Sequence, residues 1–321
     1  MFLRLVFTGL FFTSVLEASS STTYQFLDNG NNITEHYLQA WNNTPDTSNE
    51  NFNDFKNYKF LIIRGYFGNW FEKIQKIPGV KDTKIFDHFR DQIEWLTEND
   101  FDFKIVETDT EQTPLFNSSI IKKEIENSDK KVFIISQSKG GPDTLVALTE
   151  YPEIQNKVVA WLALNPAFQG TPLANQAMQN NITRWMMTEF FERFGGSIDS
   201  LRSLEVEERQ DFLRDNKDKI ENIQKKISII TLSTFIDRIK NTWNTNFQIP
   251  RNILLKKGYR NDGLLPWQSS VLPGADYVLI PGVDHATSIG KSPFVDFDRK
   301  RMMKTFAVLM REKINYLMAK F

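Results

Sequence analysis

A hydroxyl becomes a nucleophile when a base takes its proton, and an imidazole does this best when a carboxylate orients it. The chain has three histidines and no cysteine, which keeps the search for a base short and excludes a thiol nucleophile. His36 lies in a polar N-terminal stretch. His88 follows Asp87 inside a segment of helical spacing and reads as a surface or otherwise satisfied position. His285 stands in Pro281-Gly282-Val283-Asp284-His285-Ala286, just past an apolar run with the character of a strand. Among the serines, Ser138 occupies Ile135-Ser136-Gln137-Ser138-Lys139-Gly140-Gly141-Pro142: a strand, a tight turn of small residues, then a helix. That arrangement pushes the Ser138 hydroxyl out above a sheet and aims the next helix's N-terminus at it. The usual pattern is Gly-x-Ser-x-Gly, and Ser136 stands where its first glycine would be. Of the three histidines, only His285 both follows Ser138 and sits at the carboxyl end of a strand. For the orienting acid, Asp262 lies in Arg260-Asn261-Asp262-Gly263-Leu264, between the last two strand runs. Asp237 is its rival, while Asp284 adjoins His285 and is poorly placed to bend back onto its neighbour's ring.

These residues need a scaffold, and the hydrophobic pattern supplies one. Apolar runs at Phe60–Ile63, Phe103–Val106, Val132–Ile135, Val158–Leu164, Ile227–Leu232 and Tyr277–Ile280 read as buried strands. Between them, 83–98, 120–125 and 140–150 have helical spacing, and 300–317 closes the chain as a helix. Short buried runs alternating with helices predict an α/β fold, a mainly parallel sheet with helices on both faces. Sites in such sheets form at the carboxyl ends of the strands, where Ser138 and His285 fall. The connection from Pro166 to Lys226 is far longer than a crossover requires, and about 173–226 is expected to form an inserted helical cap. Its apolar residues Trp185, Met186, Met187, Phe190, Phe191 and Phe194 are candidates to line a substrate groove or a lid, or simply to pack a helix.

Composition sets the outer limits. In 321 residues, Lys+Arg 39 against Asp+Glu 40 leaves no basic field for nucleic acid. Arg4, the uncharged apolar run Leu5–Leu16 and the small residues Ala18, Ser19 and Ser20 resemble a secretory signal peptide over 1–20, too short to span a bilayer. The expectation is a protein exported to an extracellular or periplasmic space. Residues 21–56 form a polar arm, with Leu38 and Trp41 expected to dock on the body of the protein at 57–321. Asn32, Asn42, Asn117 and Asn181 fit the glycosylation sequon, which chance can supply in a chain so rich in asparagine.

The order Ser138, Asp262, His285 resembles that of the α/β-hydrolase superfamily, in particular its secreted lipases and esterases. Ser138-Lys139-Gly140-Gly141 resembles the elbow that carries the nucleophile. Asn165-Pro166 with Gly170-Thr171-Pro172 resembles the segment leading into a lipase lid. Asn261-Asp262-Gly263-Leu264 and Asp284-His285 resemble the acid and histidine segments. The resemblance covers about residues 58–317. It implies carboxylic ester hydrolysis with Ser138 as nucleophile, His285 as base and Asp262 as orienting acid. It further implies an oxyanion hole from the Lys139 N–H and from the turn Ile63-Arg64-Gly65-Tyr66-Phe67-Gly68, where Arg64 replaces the family's histidine. Tyr66 is the matching donor and Phe67 the alternative. The expected substrate is a small-molecule or lipid ester, with transient lipid-surface contact through the cap, no nucleic acid partner, no cofactor and a monomeric enzyme. Many lipases of this branch hold calcium near the histidine loop, but Asp296 and Asp298 do not by their spacing make such a site. The alternatives are a polyester depolymerase or thioesterase with the same three residues, or a non-catalytic binding protein on a hydrolase scaffold.

Overall fold

In the computed structural model, which describes residues 22–27, 29–44, 51–66, 88–193, 196–236, 245 and 247–320, the apolar runs become strands of one sheet. The strands are β1 (Asn31–Asn32), β2 (Tyr58–Ile63), β3 (Asp102–Ile105), β4 (Lys131–Gln137), β5 (Val158–Leu164), β6 (Ser228–Phe235) and β7 (Asp276–Pro281). All neighbours are parallel, in the order β1-β7-β6-β5-β4-β2-β3. The helices are α1 (Thr34–Asn43), α2 (Arg90–Glu98), α3 (Pro114–Glu126), α4 (Gly140–Glu150), α5 (Pro172–Gln179) and α6 (Asn181–Arg193). They continue with α7 (Ile198–Arg202), α8 (Val206–Asp215), α9 (Lys217–Lys226), α10 (Gln248–Lys256) and α11 (Arg299–Met318).

Register explains why the central strands read as unbroken apolar runs. Ile62, Ile135, Leu162 and Ile230 lie in one row across four strands and face the layer of α1, α2 and α11, with Tyr37, Trp95, Met302 and Phe306. One residue back, Leu61, Ile134, Trp161 and Ile229 face the opposite layer of α3, α4 and α9, with Ile121, Leu145, Ile220 and Ile223. Both sides of these four strands are buried, so alternation vanishes from their sequence. From β2 the chain proceeds to β3 on one side, whereas β4 leads to β5 on the other. The loops at the carboxyl ends of β2 and β4 therefore diverge, leaving a crevice at the switch point where open α/β sheets place their sites.

Three local expectations change. The polar arm contributes to the sheet and core: β1 pairs with β7, and Tyr37 packs 4.9 Å from the Phe306 ring. Leu38 is exposed, because Tyr37, Ala40 and Trp41 share the inward face of α1 and Leu38 turns away from it. The helical spacing over 83–98 is realised from Arg90, directly after Phe89 in the left-handed region at φ 64°; 83–87 lie outside the described residues. The long connection also divides. Leu213 of α8 and Ile220 and Ile223 of α9 join the sheet's own core, whereas Ala174 and Leu204 pack with Ala167 and Leu265 over the strand ends, with Tyr66 and Leu201 against them. Asn117 of one sequon is fully buried, donating to the Asp109 carbonyl at 2.9 Å and to Asp143 at 2.8 Å.

Candidate active site

β4 ends in Gln137, α4 begins at Gly140, and Ser138 between them takes φ 55°, a left-handed conformation unusual for a residue with a side chain. The turn after β2 lies directly against it. A Cβ on Gly65 would fall 2.6 Å from the Ser138 Cβ, and one on Gly140 would fall 2.6 Å from the Ile63 carbonyl oxygen. Only glycine permits both approaches. Ser136, which replaces the pattern's first glycine, is fully buried and accepts a hydrogen bond from the Trp161 indole N–H at 2.8 Å. Its side chain thus serves the β4–β5 contact and leaves the turn clear.

The loops after β6 and β7 bring the other two residues to Ser138. His285 Nε2 lies 2.9 Å from Ser138 Oγ, and His285 Nδ1 lies 2.7 Å from Asp262 Oδ2. Asp262 and His285 are buried. Asp262 Oδ2 also accepts from Asn165 Nδ2 at 3.1 Å, and Oδ1 accepts the N–H groups of Leu264 and Leu265 at 2.9 and 2.8 Å. The His285 N–H donates back to the Asp262 carbonyl at 2.9 Å. A carboxylate acts only as acceptor, so the network assigns the ring proton to Nδ1 and leaves Nε2 free to accept from Ser138. Asp284 has a different task. Its Oδ1 accepts from the Ala286 and Thr287 N–H groups and the Thr287 hydroxyl, and its Oδ2 from the Thr245 hydroxyl at 2.8 Å. It shapes the loop that carries His285. Asp237, the rival acid, lies outside the described residues.

Two neighbours of His285 escaped the sequence reading. Gln137 Nε2 approaches His285 Nε2 at 3.3 Å. Its position one residue before Ser138 was visible, but no pattern marks its side chain as turned toward His285. His88 sits in the turn before α2, where burial, then the Arg64 guanidinium and the His285 imidazole, push its own imidazole down to about 4. Of the two positions its sequence allows, surface or otherwise satisfied, the second describes it better; no spacing in the sequence links it to the site.

On the other side of Ser138, Lys139 leads into α4 with its side chain buried, and Tyr66 follows Gly65 in the turn after β2; Phe67 lies outside the described residues. In α6, Trp185 is 65% exposed, Met186 half-buried and Met187 buried, while the side chains of Phe190 and Phe191 lie outside the described part, as does Phe194. Asp298 caps α11 by accepting from the Arg301 N–H at 2.8 Å.

No protein-family model matches the chain, and no curated protein matches it in sequence. Solved structures do. A metagenomic carboxyl esterase, MGS0156, superposes with a TM-score of 0.69 at 16% identity, over 93% of this chain and 97% of its own. The mature form of the lipase BlEst2 from Bacillus licheniformis gives a TM-score of 0.56 at 17% identity, over 80% of this chain and 91% of its own. Identity at this level speaks to architecture, and the architecture is plain: a parallel sheet with helices on both faces, an elbow at its switch point and helices over its strand ends. The chain has the α/β-hydrolase fold.

Proposed function

We propose that this protein is a serine hydrolase of carboxylic esters, acting through an acyl-enzyme. The observation that carries the reading is the unbroken chain from Ser138 Oγ to His285 Nε2 at 2.9 Å and from His285 Nδ1 to Asp262 at 2.7 Å. Ser138 Oγ attacks the ester carbonyl carbon as its proton passes to His285 Nε2. The tetrahedral oxyanion faces the N–H groups of Lys139 and Tyr66, donors of a kind each worth roughly 2.7–4 kcal/mol. His285 then protonates the departing alkoxide, and the carbonyl re-forms as a Ser138 ester. Water follows the same route: His285 takes its proton, and the collapsing second intermediate returns Ser138 and releases the acid. Asp262 holds the ring in the required tautomer and stabilises the imidazolium. The names of the structural neighbours, an esterase and a lipase, support ester rather than amide substrates.

The exposed Trp185 on α6 supports acyl chains as the substrate's apolar part, presented at a lipid surface. The uncharged run Leu5–Leu16 supports export. A fluorophosphonate probe together with p-nitrophenyl esters of short and long acyl chains tests the reading. Labelling and hydrolysis should both disappear in Ser138→Ala. Hydrolysis that survives this substitution would reject the acyl-enzyme, and a wild-type protein that neither labels nor hydrolyses would favour a binding role.

A further inference from the structure

The two residues that supply the proposed oxyanion donors are also joined through their side chains. Lys139 is one residue past the nucleophile, and its ammonium lies 2.8 and 2.9 Å from the two oxygens of Asp143. The Lys139 and Asp143 side chains are 1% and 0% exposed. The carboxylate also accepts from Asn117 at 2.8 Å, and the Asp143 N–H donates to the Lys139 carbonyl at 3.0 Å. The pair therefore clamps the first turn of α4, the end that faces Ser138. Burying such a pair removes two ions from water and adds little net stability compared with apolar packing. Its place here calls for another account.

The Lys139 ammonium also lies 5.6 Å from the centre of the Tyr66 ring, within the range at which a cation is attracted to an aromatic face. At its far end, Tyr66 Oη lies 2.9 Å from Ser200 Oγ in α7, within the inserted segment. Ser200 Oγ donates its only proton to the Gln112 carbonyl at 2.8 Å, so Tyr66 must be the donor to Ser200. Burial raises the Tyr66 phenol well above its ordinary range and keeps that proton in place. α7 is itself anchored beside this contact, since the Ser197 N–H donates to the Glu111 carbonyl at 3.1 Å.

We infer that the Tyr66–Ser200 hydrogen bond and the Lys139–Asp143 pair are positioning groups for the oxyanion hole, and that α7 is a fixed wall of the active site. This rests on the hydrolase reading above. The inserted segment thereby has two roles: α7 holds the turn that carries the Tyr66 N–H, and any part that moves to admit substrate lies elsewhere in it. A latch of this kind acts on the transition state, where charge develops on oxygen, and equally on short and long esters.

The test compares Tyr66→Phe, Ser200→Ala, their double variant and Ser200→Thr in the full-length enzyme. It uses a short soluble p-nitrophenyl ester, a long-chain ester and a trifluoromethyl ketone that forms a tetrahedral adduct. Each single variant should lower kcat about tenfold with KM within about twofold, less than the roughly 10²–10³ lost when a donor is removed outright. Affinity for the ketone should fall by the same factor as kcat. The double variant should lose no more than either single one, because both break one interaction. Ser200→Thr, which keeps the hydroxyl, should recover most of the rate. Two results overturn the inference: kcat and ketone affinity unchanged in Tyr66→Phe and Ser200→Ala, or losses that appear in KM and melting temperature alone. If Ser138→Ala remained active, the hydrolase reading itself would fail, and that outcome is distinct from either.

Discussion

The two sides of Ser138 are built differently. On the proposed proton-relay side, Asp262 and Asp284 are held chiefly by N–H groups of the next few residues in their own loops, Leu264 and Leu265 for one, Ala286 and Thr287 for the other, with one distant side-chain contact each from Asn165 and Thr245. On the proposed oxyanion side, Lys139 is held by Asp143 one turn along α4, which the distant Asn117 braces, and Tyr66 is held by Ser200 of α7. One side rests mainly on local turn geometry that an Asp-Gly or Asp-His sequence encodes within a handful of residues. The other leans more on tertiary contacts, and on the inserted segment being in place. Damage to the relay should therefore be steep and confined to chemistry, whereas damage to the oxyanion side should be shallower and shared with the cap.

The largest effect tests the relay as a unit. Ser138→Ala and His285→Ala should each remove nearly all hydrolysis, and the double variant should lose little more, as residues that act together are not additive. The sharpest contrast comes from making the same change at two neighbouring aspartates. In Asp262→Asn, an amide N–H₂ would face His285 Nδ1 and force the ring proton onto Nε2, so that the ring cannot accept from Ser138; a loss of about 10⁴ in kcat is expected for such a tautomer error. In Asp284→Asn, the amide oxygen keeps the loop N–H groups and its N–H₂ can donate to Thr245, so activity should stay within about tenfold of wild type. Equal losses in steady-state kinetics would erase the distinction between orienting acid and loop brace. Asp237→Asn should have little effect; a severe loss there would transfer the acid role to it.

How much of this was legible in the sequence follows the same division. All six apolar runs read as strands are strands, and the structure brings together the segments around Ser138, Asp262 and His285, each of which is marked by its neighbours in the chain. β1 was missed because Asn31 and Asn32 pair at the sheet edge through their backbones and carry no apolar signature. His88 and Gln137 reach His285 only through folding. The Tyr66–Ser200 contact joins residues 134 apart in sequence, and no local pattern announces it. The replacement of glycine by Ser136 weakened the motif in sequence, yet in the structure it has a plain role as acceptor for Trp161.

Within α6 a smaller effect separates surface from core. Trp185 is exposed and Met187 is buried, two residues apart on one helix. Trp185→Ser should leave the melting temperature and the turnover of short soluble esters unchanged while reducing turnover of emulsified long-chain esters several-fold. Met187→Ala should instead cost about 2–5 kcal/mol of stability and depress all substrates together as the protein loosens. Scanning calorimetry beside the two assays checks this. A Trp185→Ser protein that melts early and loses every activity would mean that the indole is structural, and contact with a lipid surface would lose its support.

The smallest expected effect concerns His88 and the acid stability of the site. Burial, Arg64 and His285 hold its imidazole at about 4, whereas in the unfolded chain it returns to near 6.5. Between those values the unfolded chain binds a proton that the folded protein refuses, so stability rises with pH across the window. Approached from neutral pH, this contribution is fully present above about 6.5 and is lost progressively toward 4. His88→Gln has no proton to take up and should flatten that part of the profile. The measurement is the urea midpoint at pH 7 and pH 5 for both proteins: wild type should lose more on acidification than the variant. Because His88 adjoins His285 without belonging to the chain from Ser138 to Asp262, its removal should alter this acid limb far more than the rate at neutral pH. Identical acid limbs would mean that the imidazole protonates freely in the folded state, and that the environment around Arg64 and His285 is wetter than the packing implies.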